Sequence, residues 1–190
     1  MKIDRHDQAK ILSSDEISRL FTIGLKTPRD RALFGVCLYA GCRINEACQL
    51  HTKDAYSIDG GVRPRVTIRK ATTKGKMETR SVPVSHELRL LLAEYSSTKA
   101  YLFPGRHGLN HIHPDSADKI LRSALSQLGI EGASTHSFRR TCLTTMHRAG
   151  VPLKVIQEIS GHRTLAALQK YLEVLDEDLT AAVGTLKFFK

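Results

Sequence analysis

"GHRTLAALQKYLEV", residues 161–174, sets a histidine directly after a glycine and a tyrosine nine positions later. Apolar residues return at helical spacing from Thr164 onward, which predicts a helix over 164–173 with Leu168 and Leu172 beside Tyr171. An aromatic in that setting ordinarily serves packing. The other reading is a tyrosine held for chemistry, and the residues upstream decide between the two.

Working outward, the chain is punctuated by Gly161, Pro152, Gly150 and Gly129, which predicts helices over 152–160, 136–149 and 116–128. A further helix is expected over 86–96. Nearer the start, Ser13 followed by Glu16 makes a capping box ahead of Ile17, Leu20, Phe21 and Gly24, so a helix over about 14–25 follows. Pro28 suits the first turn of the next helix, whose apolar run "ALFGVCLYAG" ends at Gly41 and reads as buried. Between these blocks "RPRVTIRK" and "TRSVPVS" are rich in β-branched residues and flank "ATTKGKME", a polar turn bearing lysines. This predicts a β-hairpin with a basic tip. The loop "FPGRHGLNHIHPD" reads as exposed. No repeat or linker divides the chain, so the expected fold is α+β: mainly α-helical with one small antiparallel β-sheet.

The 190 residues are 41% hydrophobic, enough to build one ordinary core. Lys and Arg number 29 against 19 Asp and Glu, a net charge of +10, which favours a polyanionic partner. Nucleic acid is preferred to a membrane, because no segment approaches the roughly 18 consecutive apolar residues of a spanning helix. "MKIDRHDQAK" contains no apolar run of a secretion signal. Cys37, Cys42, Cys48 and Cys142 form no C-x-x-C pair and read as reduced thiols of a cytoplasmic protein.

The charged motifs carry the functional argument. In "STHSFRRTCLTT", residues 134–145, His136 and Arg139 stand three apart at a helix start, where free N–H groups add positive potential. That surface suits a phosphate, although it also reads as a solvated basic helix end. In "YAGCRINEACQL", Arg43 follows Gly-Cys and precedes Glu46 by three. The carboxylate can hold the arginine while its other donors face a ligand, and a purely structural pair satisfies the same spacing. Lys70, Lys74 and Lys76 lie at the hairpin turn. His107, His111 and His113 stand in a loop without the cysteine or carboxylate partners of a metal site, and no metal is expected.

Together these pieces resemble the tyrosine recombinases, or phage integrase family. The matching features are Arg43 in "G-x-R-x-x-E", a lysine in a hairpin turn before "VP", "H-x-x-R" at 136–139, "G-H" at 161–162, and Tyr171. The 23 residues from Arg139 to His162 and the nine from His162 to Tyr171 are also those expected of the family. The resemblance runs from about Leu12 to Val174 and implies the family's catalytic-domain fold. It implies a site-specific DNA recombinase in which Tyr171 attacks a DNA phosphodiester to form a 3′-phosphotyrosyl bond.

By the same resemblance Arg43 and Arg139 meet the charge of the transition state, and His136 assists loss of the tyrosine proton. Lys74 protonates the leaving 5′-oxygen, and His162 donates a hydrogen bond to the phosphate. Glu46 supports Arg43. Counted back from Pro83, the family's lysine spacing falls between Lys74 and Lys76; "TKGK" favours Lys74, with Lys76 the alternative. Arg69, Lys70, Arg106, Arg140 and Arg163 are expected at the DNA backbone.

No cofactor is implied. The expected partners are double-stranded DNA and further copies of the chain, in a homo-tetramer on paired sites joined through the C-terminal segment with Leu186, Phe188 and Phe189. A cytoplasmic, nucleoid-associated protein of prokaryotic, phage or mobile-element origin follows. Most family members carry a further N-terminal helical domain. Here the pattern begins within the first fifteen residues, so a single catalytic domain over 1–190 is expected, either as a short recombinase or as a piece of a longer integrase. A catalytically inactive integrase-like DNA-binding module and a type IB topoisomerase-like enzyme are the alternatives.

Overall fold

The computed structural model describes residues 9–69, 79–108, 110–172, 176–186 and 188. Ser13 forms the expected capping box: its hydroxyl accepts from the Glu16 amide at 3.2 Å, and the Glu16 carboxylate accepts from the Ser13 amide at 3.0 Å. This starts α1 (Ser14–Arg19), which runs on through a π-helical turn at Leu20–Gly24. Thr27 then caps α2 (Pro28–Tyr39), with the proline in the first turn, where its missing N–H leaves no helical bond unmade. The apolar run lies inside apart from the half-buried Tyr39: Leu33, Phe34, Val36 and Cys37 are fully buried.

A short helix unforeseen in the sequence, α3 (Ile44–Cys48), follows Arg43. Its five residues are too few for an apolar period; the Glu46 carboxylate caps it by accepting from the Arg43 amide at 3.0 Å. The hairpin strands are β1 (Arg65–Ile68) and β2 (Arg80–Pro83), antiparallel with Val66 opposite Val82 and Ile68 opposite Arg80. Val66, Ile68, Arg80 and Val82 face inward, so alternation carries a charged residue, Arg80, to the buried side.

The remaining helices are α4 (His86–Glu94), α5 (Pro114–Leu128), α6 (Thr135–Arg148), α7 (Leu153–Ser160), α8 (Leu165–Gln169) and α9 (Asp176–Gly184). The first four match their expected spans within two residues. The helix expected over 164–173 is shorter. After α8 the chain tightens, with the Tyr171 amide donating to the Leu168 carbonyl and the Leu172 amide to that of Gln169. These three-residue bonds replace the helical four-residue bonds, so Tyr171 sits on a turn.

Phe138 of α6 ties the main core together. It stacks on Phe34 at 5.2 Å between ring centres and lies perpendicular to Phe21 at 6.2 Å. Burial of such a side chain contributes roughly 2–3 kcal/mol. A second apolar cluster, of Leu143, Ile156 and Leu168, joins α6, α7 and α8, with Tyr171 and Leu172 packed against it. All four cysteines are free and buried. Among the described residues no helix is long and apolar enough to cross a membrane.

Candidate active site

Arg139 points into the protein from the first turns of α6 and is fully buried. Its Nη1 donates to the Gly41 carbonyl beyond α2, and its Nη2 donates to the Ser160 carbonyl at 2.8 Å. One guanidinium thus joins the ends of α2 and α7 to α6. Among the described residues its buried Nε meets no acceptor, a costly omission for a cation unless a ligand supplies an oxygen. Burial and the charges of Arg43 and Arg80 lower its pKa to about 10; the group remains a cation at neutral pH.

Arg43 lies at the start of α3 with a fifth of its side chain exposed. Its Nη1 donates to Glu46 Oε1 at 3.2 Å, as the spacing of the two residues foreshadowed. Glu46 is 1% exposed and has a second cationic partner that the sequence reading did not identify. Arg80 donates from Nη1 to Oε1 at 3.3 Å and from Nη2 to Oε2 at 2.6 Å. Burial pushes the Glu46 carboxyl up, but the hydrogen bonds and charge of Arg80 outweigh that and hold it below the usual carboxylate range. Arg80 also donates from Nε to the Ile159 carbonyl at 3.0 Å. Its signal in the sequence was the alternation of β2: a residue two before Val82 shares its inward face.

His162 follows α7 and is buried. Its Nδ1 lies 2.7 Å from Ser160 Oγ, and its Nε2 lies 3.2 Å from Arg139 Nη2. Burial, with Arg139, Arg43 and Arg80 close by, pushes its pKa down to about 3, so the imidazole is neutral. One proton arrangement satisfies both partners and a second satisfies Ser160 alone, because a proton on Nε2 faces the Arg139 donor. With the proton on Nδ1, Ser160 Oγ accepts it and Nε2 accepts from Arg139; with Ser160 donating to Nδ1, Nε2 carries a proton that it can give to a ligand. Gly161 makes the approach possible: it has φ +67°, and a Cβ there would stand 3.0 Å from Arg80 Nη1.

The Tyr171 ring lies 4.8 Å from the His162 ring, and Arg139 Cζ sits 5.6 Å from its centre. Thr144 of α6 donates to the Tyr171 carbonyl at 3.3 Å. Five of the expected residues, Arg43, Glu46, Arg139, His162 and Tyr171, therefore converge through these contacts. Arg80 and Ser160 join them unforeseen.

The other expected residues are placed differently. His136 is exposed on the first turn of α6 while Arg139 turns inward, so the two do not share one open face. Lys70, Lys74 and Lys76 lie outside the described residues. Arg106 and Arg163 are exposed, as a contact with a polyanion requires. Arg69 is paired through two nitrogens with the buried Asp54. Arg140 requires a correction: it is 6% exposed and donates from Nη1 to the Ala9 carbonyl at 2.6 Å. Its hydrogen bond holds the start of the chain on α6, and its charge does not face outward. Among the described residues no three His, Cys, Asp or Glu gather as a metal site would require.

A fold of this kind, with two arginines, a histidine and a tyrosine gathered around one point, defines a class. The chain belongs to the phage integrase, or tyrosine recombinase, family: the family model matches residues 10–178, and the chain has that family's catalytic-domain fold. It is 30% identical over 183 residues to a tyrosine recombinase of Thermosipho africanus, covering 92% of this chain and 61% of that protein. It is 32% identical over 165 residues to the tyrosine recombinase XerC of Rhodospirillum centenum, covering 83% and 46% respectively. The chain thus spans about 60% or less of the length of these relatives. Among solved structures, that of XerA recombinase superposes with a TM-score of 0.77 at 23% identity over 95% of this chain and 66% of that one. XerH bound to its palindromic difH substrate gives 0.73 at 21% identity, covering 95% and 54%.

Proposed function

We propose that the chain is the catalytic part of a site-specific DNA recombinase that cuts and rejoins strands through a tyrosine. The observation that carries this reading is the meeting of Tyr171, His162 and Arg139 at 4.8 and 5.6 Å, with Arg43 and Glu46 joined to the same network. Tyr171 Oη attacks the scissile phosphorus, a P–O bond to tyrosine forms, and the bond to the 5′-oxygen breaks. The phenolic proton passes to a base, for which the exposed His136 is the candidate, and the leaving oxygen takes a proton from Lys74 or Lys76. A 5′-hydroxyl from another strand reverses these steps, so the bond energy is retained and no nucleotide is consumed.

Charge supports the assignment. The guanidiniums of Arg43, Arg80 and Arg139 against the Glu46 carboxylate leave two net positive charges around the site. Attack of a phenolate on a phosphodiester develops two negative charges at phosphorus. Preorganised cations in a buried site stabilise such a state without reorganising, and the unmet Arg139 Nε would gain an acceptor.

The relatives' names, the surplus of basic residues and the exposed Arg106 and Arg163 support double-stranded DNA as the partner. Assembly of several copies is supported by α9 and the residues after it, where Leu179, Val183, Leu186 and Phe188 are 57–80% exposed; Leu179 and Val183, four apart on α9, share one face, and the exposed apolar groups together suit another copy. A cytoplasmic, nucleoid-associated location follows from a DNA substrate.

The decisive experiment uses a DNA site nicked beside the cleavage position, so that the released fragment diffuses away and the intermediate accumulates. A protein–DNA adduct stable to denaturation, missing with Tyr171→Phe while DNA binding persists, is the expected result. Tight binding with no adduct on any recognised site would replace the enzyme by a DNA-binding module.

A further inference from the structure

Arg80 is a buried cation that the strand-cleavage reading uses only for its charge, and it spends all three guanidinium nitrogens on two parts of that site. Nη1 and Nη2 reach Glu46, while Nε reaches the carbonyl of Ile159, three residues before His162. Each Glu46 oxygen is shared. Oε1 takes Arg80 Nη1 and Arg43 Nη1, and Oε2 takes Arg80 Nη2 and the Arg43 amide. The plane of the carboxylate is therefore set from β2 as well as from α3. Among the described residues Arg43 makes no hydrogen bond from Nε or Nη2, so those donors are available where Glu46 aims them.

We infer that Arg80 is a positioning residue: by clamping Glu46 it fixes the direction in which Arg43 presents its donors, and by holding the end of α7 it keeps His162 beside Arg139. This rests on the strand-cleavage reading above. Three considerations favour it over a stabilising ion pair. A buried pair is commonly no better for stability than apolar residues of the same shape, because desolvation offsets the attraction. The geometry also matches a positioning task, since a bidentate fork restrains rotation where a lysine would supply only a point charge. Finally, Gly161 lets the end of α7 approach the guanidinium closely enough for the Ile159 contact: a Cβ there would meet Arg80 Nη1, Cδ and Cζ at 3.0–3.3 Å.

The test measures the rate of covalent adduct formation on the nicked substrate, with saturating protein so that binding does not limit it. Wild-type protein must first form the adduct; if it does not, the strand-cleavage reading fails, independently of Arg80. Given a wild-type adduct, Arg80→Met and Arg80→Lys are both expected to be slowed by about 10- to 100-fold, the loss associated with misplacing a catalytic group by an ångström. DNA affinity should change less than threefold. The second substrate carries a methyl group in place of one non-bridging oxygen of the scissile phosphate. It has no negative charge for Arg43 to meet, so the loss caused by Arg80→Met should shrink at least fivefold. A wild-type-like rate in Arg80→Met overturns the inference, and so does an equal loss on both substrates, which would mark general damage. A full return of rate in Arg80→Lys shows that charge and not aim is at work, and likewise overturns it. If thermal melting shows that Arg80→Met does not fold, Arg80→Lys and Arg80→Gln carry the same two-substrate comparison.

Discussion

Replacing Gly161 by alanine separates two costs that usually come together. Gly161 and Gly129 both end helices in the left-handed region, with φ +67° and +66°, so either alanine carries a backbone penalty of about 1 kcal/mol. The surroundings differ. A Cβ at Gly129 meets nothing within 4 Å, whereas one at Gly161 falls 3.0 Å from Arg80 Nη1 and 3.1 Å from its Cδ. Arg80 cannot swing aside freely, because Nε, Nη1 and Nη2 are bound to Ile159 and Glu46. Moving it forfeits at least one hydrogen bond to a charged group, about 1.5–3 kcal/mol. Gly129→Ala should thus cost about 1 kcal/mol and Gly161→Ala about 3 kcal/mol. In a chain of this length each kcal/mol lowers the melting temperature by roughly 2–4 °C. Urea unfolding of both variants with a common m-value gives the comparison directly. Losses equal within about 0.5 kcal/mol, inside the error of such extrapolations, would refute the claim that Arg80 is fixed against the glycine. Adduct formation supplies a second readout: it should slow in Gly161→Ala and stay near wild type in Gly129→Ala.

Three further outcomes follow. His162 has its folded pKa lowered to about 3, so below pH 6.5 the unfolded chain binds a proton there that the folded chain refuses. Stability from this residue is present above pH 6.5 and falls as pH drops toward 3; a single such group removes about 1.4 kcal/mol between pH 7.5 and 5.5. His162→Gln should lack that increment when the two proteins are unfolded in urea at both pH values, and identical slopes would contradict the assignment. Between the two hairpin lysines, Lys74→Ala should abolish cleavage of an ordinary phosphodiester and leave a substrate with a bridging 5′-sulfur cleavable, because thiolate leaves without a proton; the same pattern in Lys76→Ala alone would transfer the role. Deleting residues 185–190, which include the exposed Leu186 and Phe188, should lower the mass of complexes on paired sites in sedimentation, and an unchanged mass would remove that segment from assembly.

Much of the fold was legible because its signals are local. The Ser13 capping box, the proline at the start of α2 and the glycines after α5 and α7 each act within a turn of chain, and each stands where expected. The α3 helix was not legible: a single turn capped by Glu46 has no period to detect. The end of α8 failed for a related reason, since the apolar spacing of Leu168 and Leu172 continues although the backbone bonds change from four-residue to three-residue steps at Tyr171. In the site, the Arg43–Glu46 pair is encoded by adjacency along the chain. The Arg80–Glu46 pair is not, because 34 residues separate the partners and only the hairpin brings them together. Arg140 shows the opposite error. Its place in a basic motif suggested a phosphate, but the residue after Arg139 on α6 turns toward the start of the chain and meets the Ala9 carbonyl.

The two readings of Tyr171, packing aromatic and nucleophile, are compatible. Its ring packs against the cluster of Leu143, Ile156 and Leu168, which locates the side chain by apolar contact with α6, α7 and α8. The same α6 carries Arg139 toward that ring, and Thr144, five residues on, holds the Tyr171 carbonyl. A displacement of α6 therefore carries both the arginine and the tyrosine's backbone anchor. The fold itself therefore places Tyr171 beside Arg139, with Cζ 5.6 Å from the ring centre. What DNA binding adds under the proposed function is the phosphate oxygen. The buried Nε of Arg139 has no acceptor among the described residues, and its Nη2 faces a neutral histidine that can exchange that donor for a proton on Nε2.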